Sequence, residues 1–221
     1  MTFDNACAKV GRRLPVYLVL DTSESMNGAP ILAVQEGIRR LRNDLISTPQ
    51  ALETVWISVI TFETQARQVV PLTELPRFIP PALHARGATS MGMALEILAQ
   101  ALDREVVPSR GPATGDYRPL IFLLTDGAPT DSWKTALKAL RRRGKHNPVT
   151  IVGLGCGLGA STATLQQIAD ITMKMADSSP NSIAQFFTWI AQSVQVASIA
   201  AAQAAPGGSS INLPPPPKIT I

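Results

Sequence analysis

Short runs that are apolar throughout alternate along this chain with longer stretches whose apolar residues recur every three or four positions. The runs Leu14–Asp21, Val55–Phe62, Leu120–Thr125, Val149–Leu154 and Ile171–Met175 have the length and composition of buried strands. Gln65–Leu72 mixes polar with apolar residues and carries Pro71, which predicts an edge strand, where a missing N–H costs no ladder bond. Ile31, Val34, Ile38, Leu41 and Leu45 mark one face of a helix over 31–46, with Pro30 in its first turn and Thr48-Pro49 as its stop. Met91, Leu95, Leu98 and Leu102 mark a second helix. A third is predicted to open at an Asp131 N-cap and run through Arg143, a short fourth spans 162–170, and the last spans 181–197. Pro76, Pro80 and Pro81 make 74–86 a loop, and the glycines and prolines of 108–118 make a second.

Strands alternating with helices imply an α/β fold: a doubly wound, mostly parallel six-stranded sheet with helices on both faces. The link between the second and third strands is too short for a crossover helix, so the third is expected to be the one antiparallel edge strand.

At 221 residues and 45% hydrophobic content the chain can bury one substantial core. The pattern divides it into an N-terminal segment (1–13), one domain (14–198), and a linker of Ala, Gly and Ser leading to a Pro-rich tail (199–221). Leu213-Pro214-Pro215-Pro216-Pro217 favours a polyproline helix, Ile219-Thr220-Ile221 is β-prone, and docking of this apolar end on a domain is expected to offset its ordering entropy. A net charge of +4 with only 16% charged residues does not announce a nucleic-acid partner. The arginines at 39–42 and 141–143 fall late in two predicted helices, where cations favour the helix dipole. Cys7 and Cys156 have the spacing of neither a metal pair nor a disulfide framework. No run reaches about 18 apolar residues, and residues 1–13 lack the apolar region of a signal peptide. A cytoplasmic protein with no membrane partner is the expectation; the oligomeric state is open.

Chemistry enters where strands end. The first strand finishes in Asp21, and the hydroxyls of Ser23 and Ser25 follow at alternate positions, where they can share one side of a turn. The strand 120–125 repeats the theme with Asp126-Gly127. The carboxyl ends of strands are the usual place for a site in an open α/β sheet. Oxygen donors without Cys or His suit Mg²⁺, Mn²⁺ or Ca²⁺ rather than zinc or copper. Taken singly, each residue has an ordinary reading as a helix cap or a turn residue. Together, those readings leave their common placement at strand ends unexplained.

Asp21-Thr22-Ser23-Glu24-Ser25, Gly87-Ala88-Thr89-Ser90-Met91-Gly92 and Leu124-Thr125-Asp126-Gly127, in that order, resemble the metal-ion-dependent adhesion site (MIDAS) of von Willebrand factor A domains. Residues 14–197 as a whole resemble such a domain. The resemblance implies metal ligation by Asp21, Ser23, Ser25, Thr89 and Asp126, directly or through water. It implies Mg²⁺ as the ion, with Mn²⁺ or Ca²⁺ as alternatives, and a partner protein's acidic side chain completing the shell. No catalytic residue is implied. The segments 13–26 and 124–131 look more narrowly like bacterial TerY-type proteins associated with tellurium resistance. That likeness implies a stress-response scaffold whose partners, in some systems, include a protein kinase and a phosphatase.

Two other functions compete. A metal-assisted phosphoryl-transfer enzyme would use the same oxygens, but Ser23 stands where aspartate-nucleophile phosphatases characteristically place a second Asp. A nucleotide-binding domain would use Gly155-Cys156-Gly157-Leu158-Gly159-Ala160, which follows a strand and precedes Asp177 by about 20 residues, as in a dinucleotide fingerprint. That motif comes late in the chain, and a plain strand-to-helix turn is the preferred reading.

Overall fold

Strand β1 (Leu14–Asp21) is buried along its whole length, as a strand with neighbours on both edges and helices over both faces must be. The computed structural model describes residues 12–109, 115–144, 148–203 and 213–215. Within them β2 (Val55–Phe62), β3 (Ala66–Glu74), β4 (Leu120–Thr125), β5 (Thr150–Cys156) and β6 (Ile171–Met175) join β1 in one sheet of order β3-β2-β1-β4-β5-β6. Every neighbouring pair is parallel except β2–β3, which is the expected antiparallel edge.

Alternation along the strands divides the core in two. Leu14, Val16, Leu18 and Leu20 of β1, with Phe122 and Leu124 of β4, face α1 (Ala29–Ile46), α2 (Pro49–Thr54) and α6 (Pro180–Gln203). Tyr17, Val19, Ile121 and Leu123 face the opposite layer of α3 (Met91–Glu105), α4 (Trp133–Gly144) and α5 (Thr162–Ile168). Helices α1 and α6 approach closely at Gly37, where an added Cβ would lie 2.2 Å from the Phe187 ring.

Three local expectations are revised. Pro49 does more than stop α1: it occupies the first turn of α2, where its missing N–H is no loss. The last helix runs on through Gln203, taking in the good helix formers Ala200–Ala202. Asp131 does not cap α4, which begins at Trp133. Its carboxylate instead accepts from the backbone N–H groups of Gly92 (2.8 Å) and Met93 (3.0 Å), at the amino end of α3. A long-range contact thus satisfies donors that the first turn of a helix leaves orphaned. Cys7, Pro216, Pro217 and Ile219–Ile221 lie outside the described residues.

Candidate metal centre

The sheet order reverses between β1 and β4. From β1 the chain passes to α1 on one face; from β4 it passes to α4 on the other, which opens a crevice at the carboxyl ends of the two strands. Leu20 pairs with Leu124, so Asp21 and Thr125 fall on the next rung. Asp21 is fully buried. Its Oδ1 accepts from the Ser23 N–H at 2.8 Å, and its Oδ2 accepts from the Thr125 hydroxyl at 2.5 Å. A one-turn 3-10 helix, Glu24–Met26, follows, and the Met26 N–H donates to the Ser23 carbonyl. This tight turn brings the two serine oxygens within 3.1 Å of each other. The Ser25 hydroxyl then donates to Asp126 Oδ1 at 2.6 Å. Asp21, Ser23, Ser25 and Asp126 therefore form one continuous chain of polar contacts. Ser23 is buried, whereas Ser25 is exposed and Asp126 half-buried, so the mouth of the crevice lies at the latter two.

The loop that carries Thr89 is tied to both others by backbone bonds. Glu24 N–H donates to the Gly87 carbonyl (3.0 Å), Arg86 N–H to the Thr22 carbonyl (2.8 Å), and Thr130 N–H to the Thr89 carbonyl (2.9 Å). Thr89 is buried, and its hydroxyl lies 3.0 Å from where a Cβ at Gly127 would stand. That approach explains why glycine follows Asp126: a side chain there would press on the Thr89 oxygen. The structure thus gathers all five sequence-predicted residues, four by direct polar contact and Thr89 across the Asp126-Gly127 turn.

Burial pushes the Asp21 carboxyl up to about 6, against the bonds from Ser23 and Thr125, which favour the charged form; the Asp126 charge adds to the rise. Two carboxylates and three hydroxyls around one crevice are hard oxygen donors, a set that fits a divalent cation whose shell is completed by water or an external ligand. Among the described residues no three His, Cys, Asp or Glu side chains gather as a metal cluster, so the mixed hydroxyl and carboxylate set is the candidate.

Thr125 belongs to this site and was not picked out from sequence, and Asp131, read there only as an N-cap, instead anchors the start of α3 behind the Thr89 loop. Thr125 reads as a β-branched strand residue, and only the β1–β4 register turns its hydroxyl into a partner of Asp21. The glycine-rich turn after β5 has a packing explanation. A Cβ at Gly155 would meet Ala160 at 2.9 Å, and one at Gly159 would meet the Asp126 carbonyl at 2.5 Å. The turn lets α5 close on the sheet and backs the Asp126 loop.

The family profile for the von Willebrand factor type A domain matches residues 16–189, and the chain belongs to this family. Solved structures agree on the fold. A von Willebrand factor type A protein from Catenulispora acidiphila is 20% identical with a TM-score of 0.63, over 84% of this chain and 43% of that one. The pilus adhesin SpaC from Lactobacillus rhamnosus GG, in its open conformation, is 15% identical with a TM-score of 0.66, over 83% and 30%. Proximal thread matrix protein 1 from the mussel byssus, with a zinc-occupied MIDAS motif, is 16% identical with a TM-score of 0.59, over 82% and 48%. The chain thus spans under half the length of each of these relatives. No curated protein matches it. Domains of this family commonly mediate protein–protein interactions, often with a divalent metal. Among the described residues no helix is long and apolar enough to cross a membrane.

Proposed function

We propose that this chain is a non-enzymatic, divalent-metal-dependent protein-binding module, a cytoplasmic scaffold in a bacterial stress-response system of the tellurium-resistance type. The observation that carries the metal-dependent binding reading is the convergence of Asp21, Ser23, Ser25, Thr89 and Asp126 at the β1–β4 crevice, with its outer edge open to a partner. The residues would hold Mg²⁺, with Mn²⁺ or Ca²⁺ able to replace it, and the ion would supply an electropositive position that a partner's Asp or Glu completes. Asp21, fixed from both sides by Ser23 and Thr125, supplies buried negative charge. Ser23 and Ser25 turn their oxygens to one side, and Asp126 closes the set across the crevice. The stress-system assignment rests on the likeness of segments 13–26 and 124–131 to TerY-type proteins, and a kinase or phosphatase is the partner class that likeness favours.

A binding role is favoured over phosphoryl transfer because Ser23, two residues after Asp21, stands where aspartate-nucleophile phosphatases characteristically carry their acid. A nucleotide role has less support, since packing accounts for the glycines of the Gly155–Ala160 turn.

The test is calorimetric titration of Mg²⁺ into metal-stripped protein, beside Ser25→Ala and Asp126→Ala. Both changes lie at the open edge and leave the buried Asp21 network intact. The parent is expected to bind one ion, and each variant to bind at least about tenfold more weakly, the effect expected of a lost ligand contact. A folded parent that takes up no Mg²⁺, Mn²⁺ or Ca²⁺ would overturn the metal reading. Partner capture that survives a chelator would overturn the scaffold mechanism.

A further inference from the structure

Helix α6 contains no Asp, Glu, Lys or Arg over its 24 residues. A surface helix ordinarily places charges on its outer face; here that face presents Asn181, Gln185, Thr188 and Gln192, all exposed, at helical spacing. With Ala184 and Trp189 they line a groove of about 500 Å³ whose other wall is Pro215, from the far end of the chain. The Trp189 indole N–H donates to the Pro215 carbonyl at 3.1 Å. Two residues earlier, the half-buried Leu213 packs against the core on the side of the sheet that carries α1 and α6. Trp189 is itself rigidly held, edge-on to Phe122 at 6.1 Å and stacked on Phe186 at 6.3 Å.

These features match the chemistry of a proline run. Pro214 to Pro217 have no backbone N–H and so offer only carbonyl acceptors and flat apolar rings. A receptor for them needs donors set beside an aromatic surface, with no charge to desolvate. Trp189 supplies the ring and one donor in use. The amides of Asn181, Gln185 and Gln192 supply more, none engaged by another group among the described residues. Polyproline segments are pre-extended, so little entropy is lost on docking.

Chain length allows the docking to be intramolecular. From Trp189 to Gln203 the helix rises about 21 Å. The twelve steps from Gln203 to Pro215 can span about 40 Å when extended, so the tail can fold back along its own helix. Covalent linkage through so short a segment also raises the local concentration of the tail to the order of millimolar.

We propose that the uncharged outer face of α6 around Trp189 is a receptor for proline-rich segments, and that this chain's own Leu213–Pro215 occupies it in cis. The tail is a tethered resident ligand, and another proline-rich segment must displace it to bind. This inference is independent of the metal centre.

The test follows the Trp189 indole resonance, assigned with Trp189→Phe, by NMR of the full chain. It uses the parent and a variant carrying Leu213→Ser, Pro214→Ser and Pro215→Ser. In the variant the indole resonance is expected to shift and its N–H to exchange with solvent at least tenfold faster. A synthetic peptide with the sequence of residues 211–221 should restore the signal in the variant, and should bind the parent at least tenfold more weakly. Adding Thr188→Arg, at an exposed position in the groove, should abolish peptide binding while leaving the melting temperature unchanged. An indole resonance indifferent to the tail substitutions would overturn the proposal. So would failure of the peptide to bind the tail variant. Equal peptide affinity for parent and variant, with concentration-dependent sedimentation of the parent, would assign the contact to a second copy and overturn occupancy in cis.

Discussion

Replacing Asp21 by Asn in metal-free buffer is expected to stabilise the protein at neutral pH, although it removes the central acid of the candidate site. Asp21 is fully buried, and burial lifts its carboxyl from 3.8 to about 6. An acid whose folded-state pKa is raised binds its proton more tightly folded than unfolded, so its ionisation penalises folding. The penalty is fully present above about pH 6 and disappears below about 3.8. At about 1.4 kcal/mol per pH unit it amounts to roughly 3 kcal/mol at pH 7.5 and roughly 1 kcal/mol at pH 4.5. Asparagine is uncharged at both pH values and nearly isosteric. Its carbonyl can keep the bond from Ser23 N–H. Its amide can donate to Thr125 Oγ1, whose own hydroxyl turns to the Gly127 carbonyl, 3.3 Å away.

Urea denaturation with a chelator present, at both pH values, reads the difference. Asp21→Asn should exceed the parent by about 1–3 kcal/mol at pH 7.5, and the gap should narrow at pH 4.5. Saturating Mg²⁺ should reverse the order: a thousandfold excess over Kd adds about 4 kcal/mol to the parent and nothing to the variant. An Asn variant less stable than the parent at pH 7.5 without metal, or a gap that ignores pH, would refute the reasoning.

Other expectations follow from packing and burial. Gly37→Ala places a methyl 2.2 Å from the buried Phe187 ring; overpacking should outweigh the helix-propensity gain of about 1 kcal/mol and lower stability by about 1–3 kcal/mol net, read by thermal melting. Asp131→Ala removes both acceptors for Gly92 and Met93 N–H, and a loss of about 1–2 kcal/mol is expected in urea denaturation, as for a lost cap. Burial, followed by the nearby charges of Asp126, Asp21 and Asp177, pushes the Cys156 thiol upward. In a Cys7→Ser background, alkylation of Cys156 should therefore keep pace with global unfolding across a urea series; reaction at a fixed rate in native buffer would contradict its burial.

The predicted elements were legible because each has a local cause. Continuous apolar runs became strands buried on two faces, and the mixed polarity of 65–72 with Pro71 became the antiparallel edge. Asp21 and Asp126 were legible because each ends an apolar strand run, with Ser23 and Ser25 following the first at alternate positions; Thr89 was legible only through the resemblance of segment 87–92 to the second loop of the adhesion site. What escaped was non-local. Thr125 gained its partner from the strand register and Asp131 from a loop that crosses to α3, and no spacing within either segment encodes those contacts. Pro49 was ambiguous because the same ring that ends one helix begins another.

The same distinction explains why the two surfaces argued above differ in how they can be read. The crevice is forced by topology: once β1 and β4 are neighbours and their following helices lie on opposite faces, the loops bearing Asp21 and Asp126 must flank one opening. Any sequence that places oxygen donors there announces them in order along the chain. The α6 face has no such constraint. Its polarity pattern is that of an ordinary amphipathic helix, and the missing charges become informative only beside Trp189 and the carbonyl of Pro215. Gly/Ser and Pro composition could equally make a solvated spacer, and only the packing of Leu213 against the core and the bond from Trp189 to Pro215 show where the docked end lies. A proline run cannot satisfy another chain's acceptors, because it has no N–H to give. It can only accept, so the surface that holds it must bring the donors, and it is the α6 face, with its uncharged amides around one fixed indole, that brings them.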